Sequence, residues 1–396
     1  MPALSVRDLD LKGRRVFLRV DFNVPLKDGV IEDDTRIRES LPTIQLALDR
    51  GATVIAASHL GRPKGTPNSA MSLKPVAERL AVLLKRQVTF AHDCIGDPVR
   101  QAIERAERDG NRFVLLENLR FHAEEETNDP EFAAGLAALA DVFVNDAFGA
   151  SHRAHASTEG ITKYVKPSAA GLLMEKELKH LGDALTAPVR PFVAVLGGAK
   201  VSDKIEVIQN LLGRVDALLI GGAMAYTFFK SHGVPVGTSL VEDDKLDAAR
   251  QIARQAASDG RRLELPIDHV VTTTIEAGAP HEVQKIGDPA IGDRKGVDIG
   301  PATVRGYVAV LAGARTVVWN GPMGVFEVPP FDEGTNAIAR AVATVRGTTI
   351  IGGGDSIAAV TKAGVADRMS HISTGGGASL EFLAGRTLPG VAALSQ

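Results

Sequence analysis

The sequence predicts an α/β protein of two domains, each a parallel sheet covered by helices on both faces. Three observations predict it. Short β-rich apolar runs alternate with longer helical patterns along almost the whole chain, which is the signature of βαβ units. The rhythm restarts around one helix at 171–185. A chain of 396 residues is also too long for one ordinary core.

In chain order, the first strand is expected at 16–20, followed by a helical pattern over 35–49 that Gly51 ends. A second strand is expected at 52–58. Ser72 reads as the N-cap of a helix reaching Lys85, with Pro75 in its first turn. Further strands are expected at 87–90, 112–116 and 142–144, with helices at 98–108 and 130–139 between them. Residues 171–185 read as one helix rich in Leu, Lys and Glu, ended by Pro188 and Pro191. The junction falls there, giving a first domain over 1–172, a linking helix over 173–187 and a second domain over 188–383. The second half repeats the plan with strands at 192–196, 217–220, 262–265, 316–319, 348–351 and 371–373. No short repeat period and no low-complexity segment interrupts this order.

Composition narrows the function classes. Apolar residues at 44% and charged residues at 23% are ordinary globular values. A formal charge of -3, from 45 basic and 48 acidic side chains, argues against a general nucleic-acid binder. Cys94 is the single cysteine, which excludes an intrachain disulfide and a metal site built from cysteines. It fits a reducing compartment and reads as an ordinary, partly buried thiol. Residues 1–13 carry Arg7, Asp8 and Asp10 and lack a signal-peptide apolar core. No apolar run approaches the roughly 18 residues of a membrane span. The expectation is a soluble cytoplasmic protein without nucleic-acid or membrane partners.

In open parallel sheets, ligands bind beyond the carboxyl ends of the strands, so the strand-ending loops come first. In the first half they carry cations. Asp21 and Asn23 follow the first strand, with Arg36 soon after; His59 and Arg62 follow the second; Arg120 follows the fourth; Arg153, with His152 and His155, follows the fifth. Arginine forks match phosphate and carboxylate oxygens two at a time. One such arginine is ordinarily a surface ion pair, and His59 alone is as readily structural. Several sharing one edge point to a small polyanion.

In the second half the same loops are rich in glycine: 196–204 with Lys200 and Lys204, 220–224, 319–327 with Asn320 and Glu327, 352–356 with Gly353, Gly354, Asp355 and Ser356, and 373–377. Glycine lets backbone N–H groups approach phosphate, and helix N-termini favour anions. Two cations four residues apart at a helix start oppose the helix dipole, and an anionic ligand explains them. Asp355 offers a carboxylate to magnesium, which prefers carboxylate, water and phosphate oxygens. A single Gly-Gly pair after a strand is more often a tight turn; the nucleotide reading rests on several at one edge. Neither the P-loop pattern nor the G-x-G-x-x-G fingerprint is present, which counts against an NAD-dependent dehydrogenase. Phosphoryl transfer joins a polyanion site to a nucleotide site, because it needs alignment and charge stabilisation more than a covalent nucleophile. A two-lobed, non-catalytic anion binder is the remaining alternative, and it gives Lys200 no purpose beyond binding.

The residues at 19–25, 59–63, 116–121, 197–204, 319–327 and 352–356 together resemble the phosphoglycerate kinase family, in an order and spacing that cover essentially the whole chain. The resemblance implies two Rossmann-like three-layer αβα domains facing one another across a cleft and joined by a hinge helix, with a tail at 384–396 packing back on the first domain. It implies reversible phosphoryl transfer from 1,3-bisphosphoglycerate to ADP, giving 3-phosphoglycerate and ATP, in line and after domain closure. By similarity Asp21, Asn23, Arg36, His59, Arg62, Arg120 and Arg153 hold the three-carbon substrate, while Arg36 and Lys200 stabilise the phosphoryl group in flight. Lys204, Asn320, Gly353, Gly354 and Ser356 would hold nucleotide phosphates, Gly296 and Glu327 the adenosine, and Asp355 the Mg²⁺ that accompanies ADP or ATP. The resemblance also favours a monomer.

Overall fold

The structure, a computed structural model, describes residues 4–395. The first three residues of the expected first domain and residue 396 of the expected tail lie outside the described residues. The chain divides into two compact units: one runs to Lys179 and includes the stretch from Thr387 onward, and the other is His180–Arg386.

The first unit is built on β1 (Arg15–Arg19). A two-stranded hairpin follows, β2 (Leu26–Lys27) with β3 (Val30–Ile31). Then come β4 (Thr53–Ala57), β5 (Thr89–Ala91), β6 (Phe113–Leu116), β7 (Val142–Asn145) and β8 (Ser168–Ala170). The main sheet runs β5-β6-β4-β1-β7-β8, every pair parallel. Helices cover both faces, so central strands such as Thr53–Ala57 are buried along their whole length. Helix Thr35–Asp49 turns Ile37, Ser40, Ile44 and Ala47 inward at helical spacing. Register sets the function: Arg19 lies opposite Ala57 on one side and Asn145 on the other, so three loops leave the sheet level with one another.

The second unit contains β9 (Phe192–Leu196), β10 (Ala217–Ile220), β11 (Arg262–Glu264), β12 (Asp268–Thr272), β13 (His281–Lys285), β14 (Lys295–Ile299), β15 (Thr316–Asn320), β16 (Thr348–Gly352) and β17 (His371–Ile372). Its parallel sheet runs β11-β10-β9-β15-β16-β17, the strand order of a doubly wound dinucleotide fold. Asn320 stands opposite Leu196 and Gly352 at the carboxyl edge. Trp319, fully buried on β15, anchors the core, and its indole N–H donates to the Gly321 carbonyl at 2.7 Å.

Several sequence expectations change. The N-cap position of helix Lys74–Leu84 is Leu73, which makes no side-chain cap bond; the Ser72 hydroxyl, one residue earlier, accepts from the Lys74 N–H at 3.2 Å and donates to Glu117 at 2.7 Å. The antiparallel sheet β13-β12-β14 and the hairpin were not anticipated. Helix Leu172–Thr186 is one element, yet the division between units falls inside it, after Lys179. Residues 384–386, expected in the tail, group with the second unit, where Arg386 pairs with both Glu206 oxygens at 2.6 Å. Cys94 is fully buried, at 1% exposure. No described helix is long and apolar enough to cross a membrane.

Candidate active site

On the first unit, the loop after β1 is tied together by its own polar groups. Asp21 accepts from the Asn23 backbone at 3.1 Å, and its other oxygen pairs with the Arg36 guanidinium at 2.6 Å. The Asn23 side chain accepts from the Gly61 N–H at 2.9 Å, which joins this loop to the one carrying His59 and Arg62. The buried Asn118 amide bonds the Leu60 N–H and carbonyl, the Met71 carbonyl and the Arg120 N–H, joining the third loop to the second. Arg120 itself donates to the Gly61 carbonyl at 2.8 Å and lies 3.2 Å from the Glu126 carboxylate. Arg62 is exposed, and Arg153 is half-buried beside His152.

Behind this edge lies a buried network that the sequence did not reveal. Arg19, on β1 and 1% exposed, donates to the Ser157 hydroxyl at 2.8 Å and to the Val20 carbonyl. Its remaining nitrogen lies 3.2 Å from His59 Nδ1. Guanidinium nitrogens only donate, so Nδ1 is the acceptor and His59 carries its proton on Nε2. Burial first, then the Arg19 charge, pushes the His59 pKa well below the usual range. His59 is therefore neutral with a fixed tautomer, a hydrogen-bond donor through Nε2. Ser157 passes a 2.6 Å hydrogen bond on to Glu125, which is fully buried and also accepts the Ser157 N–H at 3.0 Å. His155 turns inward rather than facing the edge. Burial, then Arg19, lowers its pKa to about 3, so its 3.8 Å approach to Glu125 is not an ion pair at neutral pH.

On the second unit, the glycine loops pack on one another. A side chain at Gly197 would collide with the Pro322 carbonyl, and one at Gly296 with the Tyr226 hydroxyl. These two glycines therefore serve close packing, whatever else they do. Gly353 differs: its φ of 88° suits glycine, and it starts helix Gly354–Lys362, beside which Gly354 has open space. The Ser356 hydroxyl is spent internally, accepting from the Gly321 N–H at 2.5 Å.

The two lysines do not share a helix start, contrary to expectation. Helix Ile205–Leu212 begins after both; Lys204 is its N-cap residue and Lys200 lies in the loop ahead of the turn at 202–204. Lys204 is buried and donates to the Asn320 carbonyl at 2.9 Å and to its side-chain oxygen. Burial lowers its pKa to about 8, partly offset by Asp355 and Asp203. Lys200 is exposed, and among the described residues it makes no ion pair, not even with Asp203.

A cavity of about 210 Å³ opens here, lined by Gly198, Ala199, Gly296, Gly324, Glu327 and Asp355, with Tyr226 and His269 in its wall. The Tyr226 hydroxyl and His269 Nδ1 are 2.9 Å apart, and burial lowers the His269 pKa to about 4. The buried side-chain nitrogen of Asn320 has no hydrogen-bond partner. A buried donor without a partner costs free energy, so this amide has room in its bonding for one further acceptor. Asp355, exposed in the first turn of its helix, and the exposed Glu327 supply the carboxylates. One carboxylate beside open helix N–H groups fits magnesium carried in by a polyphosphate, since Mg²⁺ keeps its waters and takes few protein ligands.

The family model "Phosphoglycerate kinase" matches residues 6–386. The phosphoglycerate kinase of Solibacter usitatus is 63% identical over 401 residues, covering 100% of both chains. That of Koribacter versatilis is 58% identical, also over 100% of both. Among solved structures, the phosphoglycerate kinase of Coxiella burnetii superposes with a TM-score of 0.90 at 42% identity, covering 100% of this chain and 99% of that one. The enzyme of Pyrococcus horikoshii gives 0.83 at 33% identity, covering 99% and 98%.

Proposed function

The chain belongs to the phosphoglycerate kinase family, and from that premise we propose how its residues carry out the reaction. The family's activity is transfer of a phosphoryl group between 1,3-bisphosphoglycerate and ADP, giving 3-phosphoglycerate and ATP, a step of glycolysis. The nucleotide is used as its magnesium complex. One observation carries the residue assignment. One sheet edge gathers arginines over a fixed neutral histidine, while the other gathers glycine amides around an unpartnered Asn320 amide.

In this reading Arg62, Arg120 and Arg153 grip the phosphate that is not transferred. Asp21 and Asn23 orient the three-carbon body, and His59 donates to it through Nε2. Arg36, held by Asp21 at 2.6 Å, presents its remaining N–H groups to the phosphoryl group. Lys204, Asn320 and the amides at Gly353, Gly354 and Ser356 bind the nucleotide phosphates; Gly296 and Glu327 line the adenosine. Asp355 holds the Mg²⁺, whose contribution is to offset phosphate charge. Lys200 stabilises charge on the equatorial oxygens. In-line transfer needs reacting atoms within about 3–3.5 Å, so closure of the two units is part of the proposal. The reading extends to a monomer working in the cytoplasm without nucleic-acid or membrane partners. An assay coupling ATP consumption to 3-phosphoglycerate tests the whole, and no turnover would end it.

Two expected results arise here. Arg62→Ala and Arg153→Ala each weaken 3-phosphoglycerate binding by about tenfold or more, the scale of one lost charge-assisted hydrogen bond, and leave nucleotide affinity unchanged. Equal losses for both ligands in calorimetry would contradict the assignment.

The second follows from Lys204. Its pKa is lowered to about 8, so the ammonium that meets phosphate is lost as pH rises through that value in the free enzyme. The kcat/KM for nucleotide therefore falls above about pH 8. In Lys204→Met this alkaline limb disappears and the remaining rate is low throughout. A wild-type profile flat from pH 7 to 9 would mean that Lys204 either keeps its proton through this range or does not meet the nucleotide, and an unchanged nucleotide KM in Lys204→Met would establish the second.

A further inference from the structure

A polar cavity on the first unit has no part in the reaction above. Strands β5 and β6 finish side by side, Ala91 opposite Leu116, so residues 92–94 and 117–122 leave the sheet together. They enclose about 230 Å³ lined by His92, Asp93, Cys94, Glu117, Phe121 and His122, with Pro67 and Asn118. A carboxylate oxygen of Asp93, the Cys94 Sγ and an imidazole nitrogen of His122 all lie within 4.8 Å of one another. We propose that Asp93, Cys94 and His122 form a binding site for a borderline-soft divalent cation, Zn²⁺ above all.

The donor set points to that class. Thiolate with imidazole and carboxylate is a zinc combination, whereas magnesium and calcium take oxygen alone. It is a mixed set with one thiolate, a possibility that counting cysteines does not reveal. Ligand atoms on a tetrahedral zinc at about 2.0–2.3 Å stand about 3.3–3.8 Å apart, so small side-chain rotations complete the geometry. His122 is already held, its ring stacked on Phe132 at 4.8 Å and its Nε2 2.7 Å from Asp93 Oδ1. The Cys94 thiol, 1% exposed, donates to the Glu117 carbonyl at 3.1 Å. The Asp93 and His122 side chains are 47% and 27% exposed, which gives the ion an entry and leaves the fourth position to water. Glu117 is not a ligand: its carboxylate is committed to Ser72 and to the N–H groups of Leu73 and Asn118. On binding, the Cys94 thiol proton leaves to solvent, and the neutral His122 ring, which gives up its Nε2–H bond to Asp93, carries its single proton on Nδ1 so that Nε2 is free to coordinate.

Cobalt(II) titration of the metal-free protein tests this directly. Cys94 is the only cysteine, so a thiolate-to-cobalt charge-transfer band has one possible origin. The expected result is a band saturating at one equivalent, displaced by Zn²⁺, untouched by Mg²⁺, and absent in Cys94→Ser. His122→Gln should weaken binding by about tenfold or more, at least the loss seen when a mere supporting residue is removed. Zn²⁺ at a hundredfold over its Kd should also raise the wild-type melting temperature by roughly 5 °C, and that of His122→Gln by less. This second readout stands even if Cys94→Ser fails to fold, because His122 is partly exposed. No cobalt band, or a Zn²⁺ shift equal in wild type and His122→Gln, would overturn the proposal.

Discussion

Lys200→Ala is expected to lower kcat by about a hundredfold or more while leaving the binding of ATP and of 3-phosphoglycerate, measured separately, close to wild type. The transferred phosphoryl group spreads negative charge over its equatorial oxygens at the transition state, and no covalent helper is at hand. A cation placed there binds the transition state better than either ground state, and that difference raises kcat. The alternative role, a surface lysine offsetting Asp203, requires an ion pair that Lys200 does not make among the described residues. Its neighbour Lys204 is the useful contrast. Lys204 is buried and bonded to Asn320, so its removal is expected to disturb folding as well as the nucleotide binding proposed for it. Lys200 is exposed and uncommitted, so its loss should leave the melting temperature nearly unchanged, as for other exposed positions. A Lys200→Ala enzyme with near-normal kcat would remove this residue from the mechanism.

The second large effect is on stability. Arg19→Met should destabilise the first unit by roughly 3–5 kcal/mol, the scale for stranding a buried charge. Glu125 is fully buried, and its partners are Ser157 and, through the same hydroxyl, Arg19. Burial pushes the Glu125 pKa up, and the Arg19 charge and the Ser157 bonds pull it back. Without Arg19 the largest opposing influence is gone, and only the Ser157 bonds and the Arg120 charge still hold the rise back. A carboxyl whose pKa is raised on folding costs nothing below its unfolded pKa, where both states are protonated, and its full amount above the folded pKa. The defect of Arg19→Met should therefore shrink toward pH 4 and be greatest at pH 8. Arg19→Met/Glu125→Gln should recover much of the loss, because glutamine keeps an acceptor for Ser157 without the charge. Denaturant melts of the wild type, Arg19→Met, Glu125→Gln and the double variant across pH decide it; additive losses would mean that the two charges do not compensate one another.

Much of both sheets could be read from the sequence, because strands buried on both faces print continuous apolar runs, as in Thr53–Ala57 and Phe192–Leu196. What escaped had no such print. Ser168–Ala170 is small and short, and His281–Lys285 shows four exposed residues around one buried, as an outer strand does. The site divides the same way. Arginines, histidines and glycines at strand ends were legible because topology fixes where strand ends go. Their supports were not: Arg19 meets Ser157 across 138 residues and Asn118 meets Leu60 across 58, and nothing local announces either contact. An arginine inside an apolar strand was the available signal, since a buried guanidinium demands partners.

The placement of the stretch from Thr387 has a consequence for synthesis. In the folded chain the Asn145 side chain donates to the Gly390 carbonyl at 3.1 Å, and the Gly390 N–H donates to the Ser151 carbonyl at 2.9 Å. These bonds close the first unit over the carboxyl end of β7, yet roughly 200 residues of the second unit separate the two halves of the contact along the chain. At about 5–20 residues per second, a ribosome takes roughly 10–40 s to cover that distance. For that interval the nascent first unit holds its sheet with this end unsealed, exposing the Asn145 amide and the Ser151 carbonyl to solvent or to a chaperone. Sealing the first unit therefore comes only after the second has emerged, and a ribosome that stalls late leaves both units unfinished.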